Sequence, residues 1–344
     1  MCKGGGLRLK KKIAVISKNR IISRKYRAFK AEGVLIPIEK KSGMSDEISR
    51  YWTGHTVHDN WFSSAKESLE YRESIWEMYP FYREFADIDR NHEGEVILDY
   101  GCGPGNDLTW YTQKANPRLI IGADISISAL KNAQFRMALH KIGKDKCRLM
   151  QLDDTKPVIP LSDNSIDFIS CQGVLMHALY PEKILSEFYR ILKKSDNSCC
   201  CIMVYNRDSI WFHLYAAYYL RFINPSSAGL SKEDAEGKSV DEIFRMSTDG
   251  PGCPMARCWS PDEFIEMCSN AGFKVNYMGG YTNSLEPDMA KHWIEKALKD
   301  ERLEAEHKEF LKKVMYDENG YPIIEMKEKR YMCSIGGVYR LWKL

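Results

Sequence analysis

The sequence predicts an α/β fold built on a doubly wound, mainly parallel sheet, and two observations support this prediction. From residue 95 onward, short runs of β-forming residues alternate with helical segments, which is the rhythm of a parallel sheet. The 344 residues are 44% hydrophobic and 28% charged, ordinary values for a globular chain with a sizeable core. Wholesale disorder is therefore excluded.

Residues 1–45 are predicted to form a basic N-terminal extension. Residues 1–30 hold eleven lysines and arginines and no acid, whereas the whole chain has a net charge of only +3, so the rest of the chain is acidic. A basic arm on an acidic body suits nucleic acid, anionic lipid or an acidic partner. The alternative is a solvated terminal extension without a binding role.

Two segments are predicted to form helical lids over the carboxyl edge of the sheet. Residues 46–90 are dense in aromatic side chains, and Ser63 or Ser64 is placed to cap a helix over 65–78 that Pro80 would interrupt. Residues 206–260 break the later β-α rhythm with an aromatic helix over 210–223 and a polar loop.

The remaining elements are assigned from hydrophobic period and composition, in a core over 91–205 and a C-terminal completion of the sheet over 261–344. Strands are predicted at 96–98, 119–124, 148–152, 166–171, 199–205 and 273–277, with a last strand or hairpin over 331–341. Helices are predicted from 106 to 111 and over 128–140, 181–194, 262–270 and 291–315.

Cysteine usage predicts a reducing, cytoplasmic compartment. The eleven cysteines are odd in number, and Cys199, Cys200 and Cys201 are consecutive on a predicted strand, where neighbouring side chains point to opposite faces and cannot all pair. No apolar run reaches the roughly 18 residues needed to span a bilayer, and the first residues lack the apolar stretch of a secretory signal.

The loop after the first core strand has glycine at three alternate positions, Gly101, Gly103 and Gly105. Glycine permits a tight turn and the close approach of a ligand because no Cβ stands in the way. A dinucleotide-binding loop carries a further glycine three residues after its second, and this chain has Asn106 there. The loop therefore argues against a nicotinamide or flavin cofactor.

Acidic residues stand at the ends of three successive strands. Asp99 precedes the glycine loop, Asp124 ends the next strand and Asp153 follows the third. Asp99 suits a cationic ligand better than a pyrophosphate, Asp124 is placed to accept hydrogen bonds from ribose hydroxyls, and Asp153 is in reach of an adenine amino group. The pattern predicts a site for a positively charged nucleoside.

With these residues the chain resembles the class I S-adenosylmethionine-dependent methyltransferases, in particular the small-molecule branch that includes the ubiquinone-biosynthesis C-methyltransferases. The resemblance covers residues 95–205 in register and, more weakly, 261–280. It depends on the runs VILDYGCGPG at 96–105, GADIS at 122–126, LD at 152–153, SIDFI at 165–169, GVLMH at 173–177 and EFYRILK at 187–193. Related proteins often have two histidines after the Val-Leu pair, and this chain has Met176 and His177 instead.

The resemblance implies a seven-stranded, Rossmann-like sheet with N-terminal and inserted helical lids, and S-adenosylmethionine as the cofactor. The glycine loop would wrap the methionine portion, Asp99 would hold its ammonium, Asp124 the ribose, and Asp153 the adenine N6. The predicted cofactor-binding residues are Asp99, Gly101, Cys102, Gly103, Gly105, Asp107, Asp124, Ile125, Ser126, Asp153, Asp154, Gln172 and Gly173.

Methyl transfer from a sulfonium needs alignment and exclusion of water, and it needs a base only if the acceptor must lose a proton. The candidate catalytic residues are His177, Tyr205 and His55. The candidate acceptor-binding residues are Tyr51, Trp52, His58, Asn206, His213 and Arg257. No metal is predicted, because the His55-x-x-His58 pair lacks a third ligand and Cys253 with Cys258 lacks a second pair.

The predicted function is methyl transfer to a small or medium organic acceptor, with O-, N- and C-methylation all open and a homodimer as a possible assembly. A nucleic-acid methyltransferase that uses the basic arm is the alternative, although the acidic body and the absence of an Asn/Asp-Pro-Pro-aromatic tetrapeptide after the fourth strand disfavour it. A third alternative is a subunit that binds the cofactor without catalysis and activates a partner.

Overall fold

The computed structural model describes residues 26–28, 34–37, 44–58, 60–153 and 155–343, and its central sheet confirms the predicted α/β fold. The strands are β1 Tyr26–Ala28, β2 Val34–Pro37, β3 Val96–Tyr100, β4 Leu119–Asp124, β5 Cys147–Gln151, β6 Phe168–Gln172, β7 Cys199–Asn206, β8 Cys258–Trp259, β9 Phe273–Tyr281, β10 Met315–Tyr316, β11 Pro322–Met326, β12 Lys329–Met332 and β13 Gly336–Lys343.

The helices alternate with these strands along the core of the chain. They are α1 Met44–Gly54, α2 Ala65–Met78, α3 Tyr82–Phe85, α4 Asn106–Trp110, α5 Ile127–Leu139, α6 Pro181–Ile191, α7 Lys232–Gly237, α8 Val240–Asp249, α9 Pro261–Asn270, α10 Glu286–Lys299 and α11 Ala305–Lys312. Two segments, Leu175–His177 and Pro225–Ala228, form narrower 3₁₀ turns, and two others, Tyr111–Ala115 and Trp211–Ile223, form wider π-helices. In the described part of the chain, no helix is both long and apolar enough to cross a membrane.

Seven strands form the centre of the main sheet in the order β5-β4-β3-β6-β7-β13-β9. The first five of these run parallel to one another, and β13 runs antiparallel to both of its neighbours. Strand order reverses between β3 and β6. The chain first adds β4 and β5 on one side of β3, and then returns to add β6 and β7 on the other side. In such sheets a ligand binds outside the carboxyl ends of the strands at this reversal.

Part of the predicted N-terminal extension joins the sheet. The β2 strand pairs in parallel with β5, and β1 pairs antiparallel with β2, so both add to the β5 edge. Val34 is completely buried there. Residues 1–25, 29–33 and 38–43, which include most of the basic arm, lie outside the described residues.

Local sequence signals place most helices within a residue or two of their predicted bounds. Ser64 caps α2, since its side chain accepts a hydrogen bond from the Glu67 N–H. The predicted charged helix over 291–315 divides into α10 and α11 because Asp300 leaves the helical conformation and its carboxylate binds the Arg302 backbone N–H and guanidinium. The resulting turn buries Leu303 between the two helices.

Candidate functional site

A cavity of about 550 Å³ opens at the carboxyl edge of the sheet, where the strand order reverses. The strand ends of β3, β4, β6 and β7 line one side of it. Residues of α1, α2 and α8 and the segment 281–285 line the other side. The two segments predicted as lids therefore both contribute to the walls of this cavity.

All three glycines of the loop adopt backbone conformations that side chains disfavour, and Gly105 has a φ of +83°. Gly101 has a φ of +82° and Gly103 has a φ of +51°. A Cβ on Gly101 would lie 2.1 Å from a Val174 methyl carbon, whereas a Cβ on Gly103 would meet no heavy atom within 4 Å. Gly101 is therefore needed for packing of the loop against Val174, and Gly103 leaves space open in the cavity.

The Gly101→Ala substitution is expected to destabilise the fold by roughly 2–4 kcal/mol. The added methyl group would clash with Val174 and would also impose left-handed strain on an alanine. Chemical denaturation of the two purified proteins measures this difference. Gly103→Ala is the matched control, with an expected loss of about 1 kcal/mol from backbone strain alone. Equal losses for the two variants would contradict the packing role of Gly101.

Three carboxylates lie close together beneath the glycine loop. Asp99 is 4% exposed, and its Oδ2 has no hydrogen-bond partner among the described residues. Burial raises the pKa of Asp99 well above its usual value, and the negative charges of Asp107 and Asp124 raise it further. Asp124 orders the loop, since its Oδ2 accepts the Gly103 N–H at 2.9 Å and its Oδ1 accepts the Ser126 N–H at 2.8 Å. Acidic groups are therefore concentrated at this end of the cavity.

A buried arginine that sequence reasoning missed balances part of this charge. Arg72 of α2 is 4% exposed and forms an ion pair with Asp107. Tyr82 donates a hydrogen bond from its Oη to the other Asp107 oxygen at 2.6 Å. The spacing of Arg72 from Ser68 and Ile75 places it on the buried face of α2, and this helical spacing was the available signal.

Polar groups also meet at another part of the cavity wall, on β7, α8 and the turn after β6. His177 donates from Nδ1 to the Met255 carbonyl oxygen at 2.7 Å, which leaves Nε2 as the free ring nitrogen, 3.6 Å from Asp249 Oδ1. Tyr205 donates from its Oη to the same Asp249 oxygen at 2.6 Å. Burial lowers the pKa of His177 and raises the pKa of Asp249. The Trp52 ring packs 4.7 Å from the His177 ring.

Most of the predicted site residues line this one cavity. They are Asp99, Gly101, Cys102, Gly103, Asp107, Asp124, Ile125, Ser126, Gln172, Gly173, His177, Tyr205, Trp52 and His58. The cavity thus brings together residues that are far apart in the sequence. Trp52 and Tyr205, for example, are separated by 153 positions.

Other predicted residues lie outside the cavity lining, where each has a local partner. Asp153 accepts hydrogen bonds from the Thr155 N–H and hydroxyl, and Gly105 caps α4. His55 is exposed and stacks on Tyr51, whose hydroxyl donates to the Asp249 carbonyl oxygen. Asp154 lies outside the described residues.

Three predicted acceptor-binding residues also make structural contacts instead of lining the cavity. Asn206 donates to the carbonyl oxygens of Asp208 and Ser334. His213 lies 2.8 Å from His307, measured between their Nδ1 atoms. Arg257 donates to the Ala178 carbonyl oxygen at 2.6 Å. Nothing in the local sequence distinguishes these polar side chains from ones that face a ligand.

Comparison with known proteins agrees with this geometry. Residues 91–213 match a family model described as a methyltransferase domain. A demethylmenaquinone methyltransferase of Symbiobacterium thermophilum is 33% identical over 127 residues, which cover 36% of this chain and 48% of that protein. A ubiquinone/menaquinone biosynthesis C-methyltransferase of Campylobacter jejuni is 25% identical over 181 residues, which cover 52% of this chain and 70% of that protein.

A solved structure of a putative S-adenosylmethionine-dependent methyltransferase from Listeria monocytogenes superposes with a TM-score of 0.47 at 14% identity, over 76% of this chain and 97% of that one. The chain spans about half or less of the length of several matched curated relatives, between 28% and 48%. Residues 91–213 of this chain are therefore similar to a methyltransferase domain, and the matched relatives include enzymes named as quinone-biosynthesis methyltransferases.

Proposed function

We propose that this protein transfers a methyl group from S-adenosylmethionine to a small or medium organic acceptor bound in the 550 Å³ cavity. The observation that carries the proposal is that a carboxylate-rich glycine loop and a polar His-Asp-Tyr group line the same cavity. The matched relatives named as methyltransferases support the reaction class. We also propose a reducing, cytoplasmic setting, which the ten free and buried cysteines of the described residues support.

The residues of the glycine loop fit this cofactor. The unpartnered, buried Oδ2 of Asp99 would accept a hydrogen bond from the ammonium of the methionine portion. Asp124 would bind the ribose hydroxyls, because it lines the cavity at the end of β4 and a carboxylate oxygen can accept more than one hydrogen bond. Ile125 and Leu152 provide apolar surface for the adenine. Gly103 leaves room for the part of the cofactor that connects its ammonium end to the nucleoside.

When bound, the cofactor supplies a methyl group on a positively charged sulfur. Transfer would form a bond from the acceptor nucleophile to the methyl carbon as the carbon–sulfur bond breaks, with the bonding electron pair remaining on sulfur. Aromatic side chains, including Trp52, Trp211 and Tyr281, line the cavity and would shield the reacting atoms from water. His177, Asp249 and Tyr205 are the polar groups available to bind and orient the acceptor.

The raised pKa of Asp99 predicts that cofactor binding releases a proton. The empty folded protein keeps this proton at pH values where the unfolded chain has lost it, so the stability that Asp99 contributes falls as pH rises above the usual carboxyl range. An ammonium placed against Asp99 favours its charged form. Affinity for S-adenosylhomocysteine should therefore rise with pH until the raised pKa is passed, and calorimetry in buffers of different ionisation enthalpy should detect the released proton.

The Asp99→Asn variant should bind S-adenosylhomocysteine at least about tenfold more weakly and without the proton release, because a charge-assisted hydrogen bond is lost. The same variant should stabilise the empty fold at alkaline pH, since a neutral amide replaces a buried charge. Asp196→Asn, at an exposed turn before β7, is the control and should bind as the wild type does. Unchanged proton release in Asp99→Asn would reject Asp99 as the ammonium partner.

The reaction itself is tested with S-adenosylmethionine that carries a labelled methyl group, offered with panels of phenols, quinols, carboxylic acids and amines. Label in a small organic product, lost in His177→Gln while S-adenosylhomocysteine binding persists, supports the proposal. Label that enters only RNA or DNA, and only when residues 1–40 are present, supports the nucleic-acid alternative. Normal ligand binding without any transfer unless a second protein is added supports an activating subunit.

A further inference from the structure

Three potential metal ligands from separate parts of the chain meet at the wall of the cavity. His177 ends the 3₁₀ segment after β6, Asp249 is the last residue of α8, and Cys253 follows in the next turn. Their ligand atoms, one from each side chain, all lie within 4.8 Å of one another. Sequence spacing did not reveal this group, because His177 comes from a position 72 residues before Asp249.

All three side chains are withdrawn from solvent. The side chains of His177 and Asp249 are 8% and 5% exposed, and Cys253 is 2% exposed. Asp249 Oδ1 accepts the Tyr205 hydroxyl, but Asp249 Oδ2 is buried and has no hydrogen-bond partner among the described residues. A buried carboxylate oxygen without a partner is costly, and a bound cation would satisfy it.

The surrounding backbone orients the histidine as a metal site requires and holds the cysteine next to it. The Met255 carbonyl oxygen accepts the His177 Nδ1–H at 2.7 Å, and this fixes the ring with Nε2 toward the cluster. A metal-binding histidine commonly gives its other ring N–H to a carbonyl in this way. The Cys253 thiol donates to the same oxygen at 3.3 Å, which places the sulfur beside the histidine. The turn begins at Gly250, whose φ is +96°, and it is closed by the Cys253 N–H donating to the Gly250 carbonyl oxygen at 3.1 Å.

We propose that His177 Nε2, a carboxylate oxygen of Asp249 and Cys253 Sγ bind a zinc ion whose fourth position opens into the cavity. A nitrogen, an oxygen and a sulfur ligand suit zinc, which accepts all three types. Three protein ligands with one open position are typical of catalytic zinc, whereas structural zinc has four. On binding, Cys253 loses its thiol proton to solvent and coordinates as the thiolate.

The open position gives the site a role in selecting the acceptor, and this part of the inference rests on the proposed methyl transfer. A hydroxyl or thiol that coordinates zinc loses its proton to solvent more readily and becomes a stronger nucleophile. The acceptor oxygen or sulfur would then form the bond to the methyl carbon, while the electron pair of the broken carbon–sulfur bond remains on the cofactor sulfur. The site therefore favours an alcohol, phenol or thiol acceptor.

The experiment uses the full chain, stripped with a chelator, desalted and titrated with Co²⁺ as a spectroscopic substitute for zinc. One equivalent should bind and give a thiolate-to-cobalt charge-transfer band in the near ultraviolet, and one equivalent of Zn²⁺ should remove it. Cys253→Ser should abolish the band. Asp249→Asn and His177→Gln should weaken Co²⁺ binding at least about tenfold.

Cys258→Ser is the matched control, because Cys258 is also buried and nearby in sequence but lies in β8 outside the cluster. This control should keep the wild-type band. Absence of stoichiometric metal, a band that survives Cys253→Ser, or a band lost in Cys258→Ser would overturn the zinc site. The first of these outcomes would favour His177 and Asp249 as a metal-free proton acceptor.

Calorimetry with S-adenosylhomocysteine separates this inference from the proposed function. A wild-type protein that binds S-adenosylhomocysteine but no metal rejects the zinc site alone. A wild-type protein that binds zinc but no S-adenosylhomocysteine rejects the proposed methyl transfer alone. Circular dichroism melting of each variant verifies that it is folded, and the near-isosteric Asp249→Asn provides the comparison if Cys253→Ser does not fold.

Discussion

The Gly103→Arg variant is expected to lose at least about 100-fold in affinity for S-adenosylhomocysteine, equivalent to about 2.8 kcal/mol, with only a small loss of stability. Gly103 lines the cavity, and a Cβ at this position meets no protein atom within 4 Å, so the fold can accept a side chain there. The long cationic side chain would extend toward Asp99 and Asp124. It would then occupy both the volume and the negative charge that the ligand needs.

Gly94→Arg is the matched control for this prediction. Gly94 also has a positive φ, +78°, and open space around its Cβ position, but it is exposed and does not line the cavity. Both variants should lose about 1 kcal/mol of stability from left-handed strain, and Gly94→Arg should bind the ligand normally. Isothermal calorimetry measures the affinities. Tight binding by Gly103→Arg would place the cofactor elsewhere.

The Arg72→Met variant is expected to lose about 3–5 kcal/mol of folding free energy, because the substitution leaves a buried carboxylate without its cation. Asp107 would then lie beside Asp99 and Asp124 with only the Tyr82 hydroxyl to satisfy it. Methionine keeps most of the apolar contact that the arginine stem makes, so the measured loss reports the charge. Guanidinium denaturation at neutral pH provides the measurement.

An exposed ion pair supplies the control for Arg72. Arg50 pairs with Asp46 on α1, and their side chains are 71% and 41% exposed, so Arg50→Met should cost less than about 1 kcal/mol. Adding Asp107→Asn to Arg72→Met should recover part of the loss, since the unpaired charge is then removed. A loss for Arg72→Met as small as that for Arg50→Met would show that Asp107 is not held by this pair.

The grouping of Asp99, the glycine loop and Asp124 in one cavity could be predicted from sequence, because these residues follow directly from strand ends. Asp99, the glycine loop and Asp124 occupy consecutive β-to-α connections, and the parallel sheet brings such connections to one edge. Residues in consecutive connections therefore lie close together in the fold, and this can be predicted without knowing how the helices pack.

The rest of the cavity wall could not be predicted in the same way, because it depends on how distant segments pack. Arg72 reaches Asp107 only after α2 docks on α4, and Asp249 reaches His177 only after α8 folds over the strand ends. Likewise, Val34 begins an apolar run in a basic segment, and its pairing with β5 is a tertiary contact that periodicity does not encode. The break between α10 and α11 depends on one side chain, Asp300, that binds its own backbone.

The position of β13 between β7 and β9 constrains the order in which the molecule can be assembled during translation. The ribosome produces β9 more than fifty residues before β13, yet in the main sheet β9 pairs with β13. Until β13 emerges, β9 has both of its backbone edges unpaired in that sheet, and β7 lacks its antiparallel neighbour. The nascent chain therefore passes through an interval in which it is vulnerable to aggregation and to chaperone capture, and insertion of a single late strand ends that interval.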